Sequence, residues 1–294
     1  MARWAVRVTG TVQGVGFRPF VYGLAEDLEL TGLVGNDVHG VFIEVQGDRV
    51  EPFIERLRSE APPMASVDRI DVTEIESHEE GEFRIVASQT AAGTATTSIP
   101  PDTAVCADCL AEMRDPGDRR YRYPFIACTN CGPRFTMVAG LPYDRANTSM
   151  AAFPLCDLCE REYHDPRSRR YHAQPTACAD CGPRLSMPVT EVVSALRAGL
   201  IVAIKGIGGY HLACDARDAG AVARLRGRKA RGDKPFAVMA ADLPTARSIA
   251  RLDPADEQLL QTSARPILLA GSRDPHLQNA VAPGNSFVGV MLPY

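Results

Sequence analysis

No apolar run in this chain approaches the roughly 18 residues a membrane-crossing helix needs, so a transmembrane helix is excluded. A secretory leader is not expected either, because "MARWAVRVTG" alternates apolar and polar residues and has no continuous apolar core. A strong bias in charge is also missing. With 32 Lys+Arg against 36 Asp+Glu the net charge is −4, which provides no global attraction to nucleic acid or anionic lipid. Aromatic residues are sparse at 6%, with a single Trp. The 45% hydrophobic and 23% charged residues are nevertheless ordinary for a globular protein. Its 294 residues exceed one comfortable core, so two or three domains are expected. The expected compartment is the cytoplasm, where thiols stay reduced and paired cysteines point to metal rather than disulfides.

Cysteine is abundant and unevenly placed. Eight of nine occur as four Cys-x-x-Cys pairs: Cys106/Cys109, Cys128/Cys131, Cys156/Cys159 and Cys178/Cys181. The pairs lie in a tandem repeat, because "DPGDRRYRYPFIACTNCGPRFTM" (115–137) matches "DPRSRRYHAQPTACADCGPRLSM" (165–187) at a constant offset of 50. Two tight turns of two thiolates each complete a tetrahedral Zn–S₄ site, closed and therefore structural. The eighteen residues between pairs suit a zinc ribbon. Two Zn²⁺ are expected, and pairing within each repeat is favoured because one ancestral unit should fold around its own metal; pairing across repeats stays open. The arginines of "DRRYRY" and "SRRYH" are expected to pair with nearby acids, with a phosphate backbone as the alternative. Cys214 is expected in a core.

Residues 1–90 read as a small α+β unit. Trp4, Val6 and Val8 alternate as in a strand, Phe20, Val21, Leu24, Ala25 and Leu28 form a helical face, and "VFIEVQG" is a further strand. Val50, Phe53, Ile54 and Leu57 form a second helical face, and "VDRIDVTEI" and "EFRIVA" are strands; with a short strand near 31–35 the order is β-α-β-β-α-β, the ferredoxin-like arrangement. The stretch 91–104 reads as a linker, 105–187 as the duplicated Cys₄ region and 188–294 as an α/β domain. In "GTVQGVGFR" (10–18) two glycines let backbone N–H groups turn toward an anion at a helix N-terminus, where Arg18 could grip a phosphate.

That string, with "TGLVGNDVHGVFIEVQG" (31–47), resembles the acylphosphatase signature. The resemblance implies that Gln13, Gly14, Val15, Gly16, Phe17 and Arg18 cradle a phosphoryl group, that Arg18 neutralises its charge and that Asn36 holds the attacking water. The segment 200–240 resembles the YrdC-like nucleotide-binding domain of threonylcarbamoyl-adenylate synthases, with Lys205, Tyr210, Arg228, Lys229, Arg231 and Lys234 as implied ATP contacts and Mg²⁺ as the companion ion. "KGIGG" (205–209) departs from those synthases and puts threonine chemistry in doubt.

The three parts in this order resemble the hydrogenase-maturation carbamoyltransferase family, as do "LPYDRANTSM" (141–150) and "GVMLPY" (289–294). This resemblance implies hydrolysis of carbamoyl phosphate, ATP-dependent formation of carbamoyl-adenylate, and carbamoyl transfer to the C-terminal cysteine of a partner protein. The expected fold class is α+β multidomain: a ferredoxin-like acylphosphatase domain, a zinc-ribbon tandem repeat and an incomplete YrdC-like domain. "GVMLPY" is expected as a strand lacking its partners, and the chain as an N-terminal fragment with impaired adenylation and no transfer. The rival readings are a zinc-ribbon module binding nucleic acid or protein, and a threonylcarbamoyl-adenylate synthase acting for tRNA.

Overall fold

The computed structural model describes residues 2–77, 81–89 and 98–294. The chain divides into two compact units, 1–183 and 184–294.

The first unit opens with strand β1 (Arg3–Thr11), helix α1 (Phe17–Asp27), β2 (Thr31–Asp37), β3 (Gly40–Gln46), α2 (Val50–Ser59), β4 (Ser66–Ile75) and a short β5 (Phe83–Ile85). The sheet order is β4-β1-β3-β2-β5. Its first four strands are antiparallel neighbours, as the ferredoxin-like reading requires, and β5 adds a parallel edge beside β2. Period-two burial along β1 and β3 turns Val6, Val8, Val41, Ile43 and Val45 onto the helices, where they meet Val21, Leu24, Phe53 and Leu57. Each such side chain contributes about 2 kcal/mol by leaving water.

The cysteine repeats belong to this same unit. In each copy the first cysteine, Cys106 or Cys156, is the N-cap of a short helix, α3 (Ala107–Arg114) or α4 (Asp157–His164). The second pair sits on a tight turn where the N–H of Asn130 or Asp180 points at the sulfur of Cys128 or Cys178. The expected linker falls partly outside the described residues. The segment leading into it runs beside β2, since the Gln89 N–H donates to the Asn36 carbonyl at 2.8 Å.

The second unit contains α5 (Val189–Arg197), the hairpin β6 (Val202–Gly206) and β7 (Gly209–Ala213), α6 (Ala219–Arg228), β8 (Ala237–Met239), α7 (Leu243–Ile249), α8 (Pro254–Gln261), β9 (Leu268–Gly271), α9 (Pro275–Val281) and β10 (Phe287–Met291). Asp218, Asp242, Asp253 and Asp274 cap α6 to α9, each accepting from a backbone N–H in the first turn. The expectation of a last strand without partners is corrected: β10 is the centre of a three-stranded sheet, parallel to β8 and antiparallel to β9. Both its edges are thereby hydrogen-bonded. Cys214 packs against this unit's core, one residue beyond β7.

Candidate functional site: a glycine loop closed by the cysteine fingers

Between β1 and α1 the backbone turns through Gly14 (φ +70°) and Gly16 (φ +77°). These are left-handed values that a side chain would resist. Val15 and Phe17, between and after them, point into the core. Among the described residues no protein acceptor faces the N–H groups of Gly14, Val15, Gly16, Phe17 or Arg18. Alternating left-handed turns leading into a helix N-terminus make a concave nest of free amides, and such a nest attracts an anion. The Gln13 side chain does not join it. Its NH₂ donates to the carbonyls of Asp37 and Gly40 and its oxygen accepts the Tyr143 N–H at 3.0 Å, so only the Gln13 backbone can contribute to the cradle.

Arg18 and Asn36 line the same cavity. Arg18 is 7% exposed, and one of its nitrogens donates to Asp144 at 2.9 Å. Asn36, on β2, is 1% exposed, and neither its Oδ1 nor its Nδ2 has a protein partner. An unpartnered buried amide costs on the order of 1–3 kcal/mol, which is recovered when water or a ligand supplies the missing bonds.

The remaining walls come from the repeats, through Thr129, Arg134, His172, Ala173, Gln174 and Pro175, and from Tyr143 of the segment between them. Arg134, of the repeated Cys-Gly-Pro-Arg motif, is fully buried. Its guanidinium donates to the carbonyls of Gly14, Cys128, Thr129, Cys131 and Pro133, which pins the glycine loop to the cysteine turn. A Cβ on Gly14 would stand 2.9 Å from the Tyr143 ring, so that glycine also makes room for the finger. Burial, then the charges of Arg18 and His164, pull His172 down to about 4, with Asp144 opposing. The imidazole facing the cavity is therefore neutral at neutral pH.

The eight cysteines gather within repeats. Cys106, Cys109, Cys128 and Cys131 form one tetrad and Cys156, Cys159, Cys178 and Cys181 the other, each with all sulfurs within 4.8 Å. Neighbouring sulfurs lie 3.6–3.8 Å apart. A tetrahedron with metal–sulfur bonds of about 2.3 Å has edges of about 3.8 Å, so the donors fit zinc and leave no coordination position open.

The arginine pairs cross over between fingers. Arg119 and Arg120 of the first repeat donate to Glu162 and to the Cys159 sulfur of the second. Arg169 and Arg170 of the second donate to Glu112 and to sulfurs of the first, including Cys109. Burial opposes the charge of Glu162, but Arg120 and Arg119 prevail and hold its carboxyl at about 2. These guanidinium groups pair with acids, as expected, though with those of the other finger.

In the second unit Lys205 and Tyr210 face each other across the β6–β7 hairpin, with Nζ 5.6 Å from the ring centre. Arg228 and Lys229 end α6. Arg231 donates to the carbonyls of Lys234 and Pro235 and covers the Phe236 ring, so its guanidinium braces its own loop.

Sequence reasoning missed Arg134, Tyr143, Asp144, His172 and Gln174 as parts of the first site. Arg134, His172 and Gln174 lie in the duplicated segment and Tyr143 and Asp144 in "LPYDRANTSM", but their approach to the glycine loop follows only from the tertiary fold.

Fold and site together define a multidomain protein with an acylphosphatase-like glycine loop and two cysteine fingers whose donors suit a structural metal. Residues 4–85 match the acylphosphatase model, 105–138 and 155–187 the HypF finger model, and 194–294 the Sua5/YciO/YrdC model described as "Telomere recombination". The chain is 53% identical over 292 residues to the carbamoyltransferase HypF of Rhizobium leguminosarum, covering 99% of this chain and 38% of that protein. It is 54% identical over 310 residues to HypF2 of Cupriavidus necator, with the same coverages. It is also 40% identical over 78 residues to an acylphosphatase of Ligilactobacillus salivarius, covering 26% of this chain and 87% of that protein. A crystal structure of full-length HypF in a phosphate- and nucleotide-bound form superposes with TM-score 0.95 at 46% identity, covering all of this chain and 40% of that one. Over its whole length the chain is similar to HypF carbamoyltransferases. It spans about two fifths of the length of the curated HypF relatives it matches.

Among the described residues no helix is long and apolar enough to cross a membrane.

Proposed function

We propose that the first unit hydrolyses an acyl phosphate, and that its substrate is carbamoyl phosphate. The observation that carries this is the convergence on one cavity of a nest of free amides, the Arg18 guanidinium and the orphaned Asn36 amide. The N–H groups of Gly14 to Arg18 hold the phosphoryl oxygens, with Gln13 contributing through its backbone alone. Arg18 adds charge where the transition state gathers it, and Asn36 orients the attacking water. The water oxygen forms a bond to phosphorus, the bond to the acyl oxygen breaks, carbamate leaves with the electron pair, and the water proton passes to phosphate. No strong general base is required, because a carboxylate-type leaving group departs readily.

Two Zn²⁺ ions in the tetrads would staple the fingers, with no role in the bond-breaking step. In the longer relatives named as carbamoyltransferases, the product carbamate would go on to the YrdC-like unit. There Lys205, Tyr210, Arg228, Lys229 and Lys234, with Arg231 bracing the loop, would hold ATP and Mg²⁺ for carbamoyl-adenylate formation. The acceptor would be the C-terminal cysteine of a hydrogenase maturation partner, and the reaction would run in the cytoplasm. The rival nucleic-acid module loses support because the repeated arginines are engaged by Glu112 and Glu162.

The test is carbamoyl phosphate hydrolysis by the chain and by Arg18→Ala. A loss of 100-fold or more in kcat/KM supports the proposal; equal rates would discard the assigned site.

A further inference from the structure

The phosphoryl half of the cavity is made by the glycine loop with Asn36, and the opposite half by residues of the two fingers and of the segment that joins them. The space between the two halves is about 330 Å³ with the mouth included. Its far wall is fixed. Arg134 ties Gly14 to the turn that carries Cys128 and Cys131. The Tyr143 N–H is held by Gln13, while Arg145 holds the carbonyls of Gln174 and Thr176 at 2.6 and 2.8 Å. A bulky group could enter only by moving backbone that is itself anchored to a metal turn.

This wall carries a fully buried hydroxyl that takes no part in holding it together. Tyr143 is 1% exposed, and its hydroxyl has no hydrogen-bond partner among the described residues. Burial raises its ionisation to about 12, against the nearby charge of Arg134, so the hydroxyl keeps its proton as a donor. The other buried polar side chains of the wall, Arg134 and Gln174, close on protein, whereas this hydroxyl and the Asn36 amide have no protein partner among the described residues.

We infer that the fingers and the segment joining them form the acyl-recognition half of the site. They admit only acyl phosphates whose acyl group has one or two carbons, and the Tyr143 hydroxyl donates to the acyl oxygen. This rests on the acyl phosphate hydrolysis proposed above. It adds a specificity device that a glycine loop facing open solvent would lack, because the loop reads only the phosphoryl group.

The experiment compares carbamoyl, acetyl and benzoyl phosphate on the whole chain and on Tyr143→Phe, with inorganic phosphate as a competitive inhibitor. The chain should favour carbamoyl and acetyl phosphate over benzoyl phosphate by at least tenfold in kcat/KM. Tyr143→Phe should lose at least threefold in kcat/KM on carbamoyl phosphate, with the inhibition constant of inorganic phosphate, the Tm and the zinc content unchanged. A purely structural tyrosine would move the phosphate constant in step. Benzoyl phosphate turned over within tenfold of the small substrates would overturn the wall, and a Tyr143→Phe loss under threefold, or one matched by the phosphate constant, would overturn the contact. Hydrolysis of none of the three would remove the acyl phosphatase reading itself, and this inference with it.

Discussion

Arg18, in the first turn of α1, donates to the Asp144 carboxylate of the segment joining the two fingers at 2.9 Å. The arginine is nearly buried and the aspartate is about a quarter exposed, so this contact ties the glycine-loop half of the unit to the finger half at the anion pocket. One donor of the guanidinium fork faces Asp144, and a second reaches Ser88 at a long 3.4 Å. With five N–H donors in the fork, Arg18 keeps some free for an anion.

Asp144 thus aims Arg18 while placing a negative charge beside a site for anions. Asp144→Asn keeps an acceptor and removes the charge. Relief of the repulsion is worth on the order of 1 kcal/mol for a partly exposed pair, so inorganic phosphate should bind several-fold tighter. Calorimetric titration with phosphate checks this, and weaker binding would show that the charge itself is needed to position Arg18.

Gly14 serves both the loop and the finger. An added methyl would sit in a left-handed backbone and 2.9 Å from the Tyr143 ring. Gly14→Ala should destabilise the first unit by about 2 kcal/mol or more, from backbone strain and overpacking together. Chemical denaturation followed by tyrosine fluorescence measures it, and a neutral result would mean that the finger does not press on the loop.

The crossed arginines make each finger depend on the other. Arg170→Ala leaves Glu112 short of a partner it meets in a buried setting, and withdraws a cation from the first tetrad's Cys109. Because Glu112 is about a quarter exposed and keeps Arg169, the loss should cost about 1–3 kcal/mol. The first tetrad, rather than the variant's own, should then release its zinc sooner to a chromogenic chelator, reducing two retained ions per chain toward one. Release from the second tetrad alone, read with Cys→Ser variants of either set, would contradict the crossed arrangement.

His172 supplies a pH signature. Burial first, then Arg18 and His164, hold it neutral down to about 4. It takes up its proton only on unfolding once the pH drops below about 6.5. Its contribution is therefore complete above that value and is lost as pH falls toward 4. The cost is on the order of 2 kcal/mol after allowance for partial exposure. His172 has φ +50°. Asparagine tolerates that left-handed backbone. Urea midpoints at pH 7.5 and pH 5 should therefore differ less for His172→Asn than for the parent chain.

How far the sequence spoke differs from residue to residue. Cys106 to Cys181 were legible as two tetrads because Cys-x-x-Cys spacing is a local geometric demand and duplication argues for self-contained units. The glycine loop was legible for the same reason, since a nest of amides needs its glycines adjacent in the chain. The Arg134–Gly14 and Gln13–Tyr143 bonds were not, because contacts spanning 120 and 130 positions leave no local pattern. The crossed Arg120–Glu162 and Arg170–Glu112 pairs were half legible: charge predicts an acidic partner, but either finger offers one. The position of β10 was misjudged because its neighbours β8 and β9 precede it, so a last strand can still be an inner one.

The most direct measurement of the central claim is a crystal structure of this chain soaked with inorganic phosphate. The account predicts phosphate in the nest, accepting from the N–H groups of Gly14 to Arg18 and from the Arg18 guanidinium, with a water on Asn36 behind it. Phosphate bound elsewhere, with those amides turned away and the guanidinium wholly engaged by Asp144, would contradict it.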